Sequence, residues 1–143
     1  MSESKAVDYR VKTPKNKWDI VLWLLQSLTA LMFTFAGYQK GFGDLDVVVK
    51  NIFWVKSLPE ILVRFIGVSE LLGGIGLILP ALLKIRSQFT TLAAAGLSVI
   101  MLLANFFHII RGEFFALPIT LILFALVAFI FYGRTRIVPF ETN

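Results

Sequence analysis

The sequence predicts an all-α integral membrane protein, a bundle of four transmembrane helices with a short amphipathic interfacial helix in the first outer loop. Two features of composition predict this class: 57% of the 143 residues are apolar and only 16% are charged, whereas soluble domains carry about 45–50% apolar and about 25% charged residues. The distribution of the apolar residues is the third observation, since four apolar segments each reach the ~20 residues needed to cross ~30 Å of hydrocarbon.

The elements follow in chain order. We expect a cytosolic N-terminal tail over residues 1–18, a single membrane domain over 19–136 and a cytosolic C-terminal tail over 137–143. The polar, basic start resembles a cytosolic tail rather than a signal peptide, because the apolar run that follows it is too long for a signal peptide. The predicted spans cover about residues 20–39, 59–83, 88–110 and 114–133.

The first outer loop carries its own periodic pattern. Apolar residues recur at helical spacing after Asp44, which is a candidate helix cap. They are Leu45, Val48, Val49, Ile52 and Phe53. This pattern predicts a short amphipathic helix that lies in the interface or packs on the bundle as a lid.

The distribution of Lys and Arg predicts the orientation. Nine of the fourteen lie in the N-terminal tail, the second loop and the C-terminus, which share one side of a four-span protein, and four lie on the opposite side. The positive-inside rule therefore places both termini in the cytoplasm. Because the basic residues lie at span ends, the net charge of +5 indicates a membrane protein and no nucleic-acid partner.

Composition also excludes several kinds of chemistry. The chain has no cysteine and one histidine, so disulfides, thiol relays, iron–sulfur clusters and thiolate metal sites are excluded. We predict no metal site. Motifs for nucleotide binding or serine hydrolysis are absent from the sequence, and no catalytic constellation is complete in itself.

Two ionised residues interrupt the second span, where each costs roughly 2.5–3.5 kcal/mol at the bilayer centre. Glu70 falls near the midplane, and Arg64 lies about 9 Å inside the span by the helical rise. They point about 120° apart on the helical wheel, so Glu70 needs a partner on another helix or a proton. Lys40 and Arg111 are most simply interpreted as charges on the outer face.

These observations predict a polar pocket in the outer half of the bundle. Asn105 and His108 share one face of the third span, and Tyr38 lies on a polar face of the first. The predicted ligand-binding residues are Tyr38, Arg64, Glu70, Asn105 and His108. Glu70 and His108 are the catalytic candidates, because a carboxylate can accept a proton and an imidazole can relay one. Plain helix packing is the alternative, since interhelical hydrogen bonds also fix helix register.

Three segments carry a resemblance to a known family: FAGYQK at residues 35–40, IGVSELLGGIGLILP at 66–80 and AAAGLSVIMLLANFFH at 93–108. Over roughly residues 20–136 the chain resembles the DoxX-like family of small bacterial four-helix membrane proteins. The resemblance implies a multi-pass protein of the bacterial cytoplasmic (inner) membrane. The family positions fall on Gly37, Lys40, Gly67, Glu70, Pro80, Met101 and His108.

The family name comes from a subunit linked to a thiosulfate:quinone oxidoreductase, and some relatives associate with redox partners. We therefore expect an accessory subunit of a quinone-linked redox system, with a quinone or another lipid-soluble molecule in the pocket and no covalently bound cofactor. The alternatives are a non-enzymatic assembly factor or structural partner of another membrane protein, a homo-oligomer included, and a small-molecule transporter. Any redox activity would require a partner subunit.

Overall fold

The computed structural model describes residues 16–86 and 88–140, and that part of the chain contains helices and no strands. Four helices are long and apolar enough to cross a membrane. They are α1 (Lys17–Phe42), α3 (Glu60–Leu82), α4 (Gln88–Ile110) and α5 (Leu117–Tyr132), the last together with the turn that continues it to Ile137. The short helix α2 (Leu45–Asn51) lies between α1 and α3. The predicted four-helix membrane bundle is confirmed.

The helix ends have local causes. The side chain of Asn16 accepts a hydrogen bond from the Trp18 amide and caps α1, as short polar side chains do at helix starts. Pro59 directly precedes α3, and Pro118 lies in the first turn of α5, where its missing N–H costs no hydrogen bond. After Tyr132 the chain continues as one π-helical turn, Gly133–Ile137.

Small residues set the spacing of α1 and α3, the most extensively packed helix pair. A methyl group at Gly37 would lie 2.6 Å from the carbonyl oxygen of Gly67, and one at Gly74 would lie 2.7 Å from the amide nitrogen of Thr34. Only glycine lets two helix backbones approach this closely in a membrane. Backbone proximity therefore fixes the register of this antiparallel pair.

The remaining helices complete a ring in which α3 packs on α4, α4 packs on α5, and α5 packs less extensively on α1. Successive helices run up and down, as their order and contacts require. Buried apolar side chains form the core between these helices. They are Ala30, Phe33, Leu77, Ala94, Leu97, Met101, Val127 and Ile130.

Residues 44–58, here called the cap segment, cover one end of the bundle. Asp44 accepts a hydrogen bond from the Asp46 amide and starts α2, which is the helix predicted in the first loop. It ends at Asn51, and Phe53 begins a separate 3₁₀ turn. Val48 and Val55 of the cap segment bury against Val63 of α3. We call this the α2 end, and the opposite end, where α1 starts and α5 stops, the terminal end.

Candidate functional site

A cavity of about 590 Å³ lies between the four long helices in the half of the bundle nearer the α2 end. All four helices and the cap segment contribute to its wall, which is mostly hydrocarbon. The polar side chains in the wall are Lys40, Ser69, Glu70, His108 and Thr120. This volume and this mixture of apolar wall with few polar groups are typical of pockets that bind small molecules.

Lys40 and Glu70 meet in this wall as a buried ion pair between Lys40 Nζ and Glu70 Oε2. The partner on another helix that Glu70 was predicted to need is therefore Lys40 of α1. The interpretation of Lys40 as an outer-face charge is wrong, since only 5% of the residue is exposed. Close approach of α1 to α3 brings Lys40 within reach of Glu70, and the Lys40 ammonium also lies 5.5 Å from the ring centre of Trp54.

His108 lies in the wall on the α4 side, with 2% of the residue exposed. Its Nδ1 is 2.7 Å from Glu113 Oε2. Arg111 holds the other oxygen of the same carboxylate through Nε at 2.7 Å and donates through Nη2 to Ser57 Oγ at 2.8 Å. Arg111 thus joins the α4–α5 turn to the cap segment, which corrects its interpretation as a simple surface charge.

The turn after α4 explains why Glu113 returns to His108. Gly112 adopts a φ of +68°, a left-handed conformation that glycine accommodates readily. The Glu113 amide then donates to the His108 carbonyl at 2.9 Å, and the Gly112 amide donates to the Ile109 carbonyl at 3.1 Å. These bonds resemble the Schellman pattern that closes many helices, and they place the Glu113 side chain over the last turn of α4.

The environment of Glu113 favours its ionised form. Desolvation alone would raise the pKa of this carboxyl, but hydrogen bonds from Arg111 and His108, together with the charge of Arg111, outweigh that effect and lower the pKa below its ordinary value of 4.5. Glu113 is therefore a carboxylate at neutral pH. The sequence analysis missed Glu113 because this residue lies outside the spans. A glycine just after a helix and directly before a glutamate could still have indicated a turn that brings the glutamate back to the helix end.

Asn105 ties two helices together beside the cavity without lining it. Its side-chain oxygen accepts a hydrogen bond from Thr120 Oγ1 at 2.7 Å, and its amide donates to the Met101 carbonyl at 2.9 Å. The bond to Thr120 joins α4 to α5. Both polar atoms of the Asn105 side chain are therefore engaged, and its partner Thr120 does line the cavity.

Tyr38 and Arg64 also lie outside the cavity wall, in contrast to the expectation that they share a pocket with Glu70 and His108. Tyr38 is 59% exposed, and its ring packs on Phe42. Arg64 Nη1 donates to the Gly43 carbonyl at 2.6 Å, where it satisfies the end of α1. Tyr38 is turned outward because the face of α1 that meets α3 is the one with the small residues.

A model of the DoxX-like family matches residues 24–130, which is most of the chain. The chain belongs to the DoxX-like family. No curated protein and no solved structure matches it. The matched range includes every residue in the cavity wall of this DoxX-like protein, as well as Glu113. The cavity therefore lies within the part of the chain that matches the family model.

This DoxX-like protein has a second buried polar cluster, at the terminal end, that sequence reasoning did not find. Arg134 is 3% exposed and donates to Asp19 Oδ1 at 2.6 Å and to Gln26 Oε1 at 3.0 Å. Gln26 in turn donates to the Leu77 carbonyl. The π-helical turn after α5 carries Arg134 inward. Asp19 and Gln26 lie seven residues apart and therefore share one face of α1, and this spacing could have revealed both residues in the sequence.

Proposed function

We propose that this membrane protein binds a lipid-soluble molecule with a polar head group, with a quinone as the first candidate, and serves as an accessory subunit of a membrane redox system. One observation carries the proposal: a cavity of about 590 Å³ is walled by hydrocarbon and has Lys40, Glu70 and His108 as its charged or titratable groups. An apolar body with oxygen atoms at one end matches that distribution. The membership of the family supports the membrane setting.

The polar groups have complementary abilities. Lys40 donates hydrogen bonds, Glu70 accepts them, and the His108 imidazole can do either according to its protonation. A quinone supplies two reducible carbonyl groups when bound. The residues of this chain would orient those oxygens, hold protons near them and exclude water with the apolar wall.

A partner protein would supply the electrons. The sequence has no cysteine to hold an iron–sulfur cluster and a single histidine, which is why we propose a subunit and not a self-sufficient enzyme. We further propose that both termini face the cytoplasm of a bacterial cell, so that the cavity lies in the outer half of the inner membrane. The excess of basic residues at the terminal end supports this orientation.

Ligand binding can be tested with the full chain in lipid nanodiscs, titrated with a short-tailed quinone and followed by quenching of tryptophan fluorescence. Ala104 lines the cavity, so Ala104→Phe should fill it and weaken binding at least tenfold. Ala125 faces outward on α5, so Ala125→Phe is the matched control and should bind as the wild type does. Glu70→Gln and His108→Ala should also weaken binding.

Equal quinone binding by all of these proteins would contradict the proposal. The redox part is tested by isolating the protein with its partners from native membranes: an oxidoreductase that loses activity with the Ala104→Phe subunit supports it. A stable complex with a membrane protein of no redox function, and no quinone binding, would favour the assembly-factor alternative.

A further inference from the structure

We infer that Glu113 fixes the tautomer of His108 so that the imidazole presents a hydrogen-bond acceptor to the cavity. The site therefore prefers a ligand with a phenolic hydroxyl, such as a quinol, over a ligand of the same shape that lacks the hydroxyl proton. This rests on the proposed function, because it takes the cavity as the ligand site. Glu113 is a positioning residue in this arrangement, and His108 is the residue that touches the ligand.

The tautomer follows from the contact between the two side chains. An ionised carboxylate can only accept hydrogen bonds, and Glu113 Oε2 lies 2.7 Å from His108 Nδ1. The proton of the neutral imidazole must therefore lie on Nδ1. A neutral imidazole carries a single N–H, so Nε2 is left with a lone pair. The lowered pKa of Glu113 agrees with the ionised state that this reasoning requires.

Nε2 is the atom that remains for a ligand. His108 lines the cavity, and within residues 16–86 and 88–140 no hydrogen bond engages its Nε2. The rings of Trp54 and Phe107 pack edge-on against the imidazole, with centroids 6.0 and 5.3 Å away. These contacts restrict the rotation of the ring and keep Nδ1 on the side of Glu113.

The charges around His108 occur as opposite pairs. Arg111 and Glu113 pair in the α4–α5 turn, and Lys40 of α1 pairs with Glu70 of α3 on the wall of the same cavity. The cap segment contributes Trp54, which has no charge. An imidazolium has a proton on both ring nitrogens and can only donate, so the preference for a hydroxyl belongs to the neutral imidazole.

The tautomer can be measured directly, because His108 is the only histidine in the chain. Protein labelled with ¹⁵N-histidine, in lipid at pH 8, should show the two ring nitrogen shifts of the Nδ1–H tautomer without any assignment step. Glu113→Gln should shift the equilibrium toward a mixture. Glu60→Gln is the matched control, since Glu60 is exposed and pairs with Arg64 alone among the described side chains. An Nε2–H tautomer in the wild type would overturn the inference.

Ligand preference is tested with an apolar-tailed phenol and its methyl ether, which differ in the hydroxyl proton. The wild type should bind the phenol about tenfold more tightly, as expected for roughly one net hydrogen bond, and Glu113→Gln should bring the ratio close to one. If both compounds bind equally and Ala104→Phe excludes both, the cavity is a ligand site but this inference fails. If neither compound nor the quinone binds, the proposed function fails.

Discussion

Lys40 of α1 and Glu70 of α3 form an ion pair inside a membrane-spanning bundle, with side-chain exposures of 7% and 4%. Either charge alone would be costly at this depth, so each makes the other tolerable. The two residues lie on the helices that glycines hold in close contact. The ion pair therefore links the tightest helix pair of the fold to the polar part of the cavity wall.

We expect single substitutions of this pair to destabilise the protein more than the double substitution. Lys40→Met leaves the Glu70 carboxylate buried without its partner, and breaking a buried pair costs about 3–5 kcal/mol. Lys40→Met with Glu70→Gln removes both charges and should recover much of that loss. Thermal unfolding of the four proteins in one detergent measures the coupling, and strictly additive effects would show that the two charges do not interact.

Packing of α1 on α3 should not tolerate a methyl group at Gly37. Such a group would lie 2.6 Å from the Gly67 carbonyl oxygen, so Gly37→Ala should lower the free energy of unfolding by about 1–3 kcal/mol through overpacking. Gly96→Ala is the matched control, because a methyl group there meets no atom within 4 Å. It should be neutral or stabilise by up to about 1 kcal/mol. Similar losses in both variants would refute the close approach.

Acid should weaken the turn that holds His108. The pKa of Glu113 is lowered from 4.5 in the folded protein, so its contribution to stability is complete above pH 4.5 and is lost as the pH falls through the folded-state pKa. The unfolding midpoint should therefore drop more steeply below pH 4.5 for the wild type than for Glu113→Gln. Parallel pH profiles of the two proteins would contradict this, since other carboxyls are common to both.

The fold could be predicted because the bilayer imposes length and composition on every span. The apolar composition of the spans also explains why Tyr38 was expected in the pocket and Lys40 was not. Hydropathy cannot tell the inner face of a membrane helix from the lipid face, because both are apolar. The inner face of α1 is indicated instead by Gly37 and Gly41, and Tyr38 lies next to that face.

The candidate site could be predicted only in part. Glu70 and His108 are recognisable in the sequence as polar groups within apolar spans. Their partners are not, because which side chains meet depends on helix register and on the turn at Gly112. Glu113 contacts His108 through that turn, and Arg134 contacts Asp19 across 115 residues of sequence.

Arg134 should not be replaceable by lysine. Its guanidinium donates to Asp19 through Nη1 and to Gln26 through Nε, and it lies 4.3 Å from the ring centre of Phe140. Lysine keeps the charge but has neither the planar fork nor the stacking surface. Arg134→Lys should therefore lower the free energy of unfolding by about 1–3 kcal/mol, the cost of a buried group left unpaired. Exposed Arg136 provides the control, and equal effects of Arg136→Lys would contradict a specific role for Arg134.

The orientation can be tested by introducing one cysteine at a time, because the chain has none of its own. Lys50 is exposed on α2 and Lys84 is exposed in the turn between α3 and α4, so the two positions lie at opposite ends of the bundle. If the terminal end faces the cytoplasm, a membrane-impermeant maleimide should label Lys50→Cys in intact cells and label Lys84→Cys only after permeabilisation. The positive-inside rule gives the physical reason, since basic segments are retained on the cytoplasmic side. The reverse pattern would place Glu113 and the cap segment in the cytoplasm and would overturn the proposed orientation.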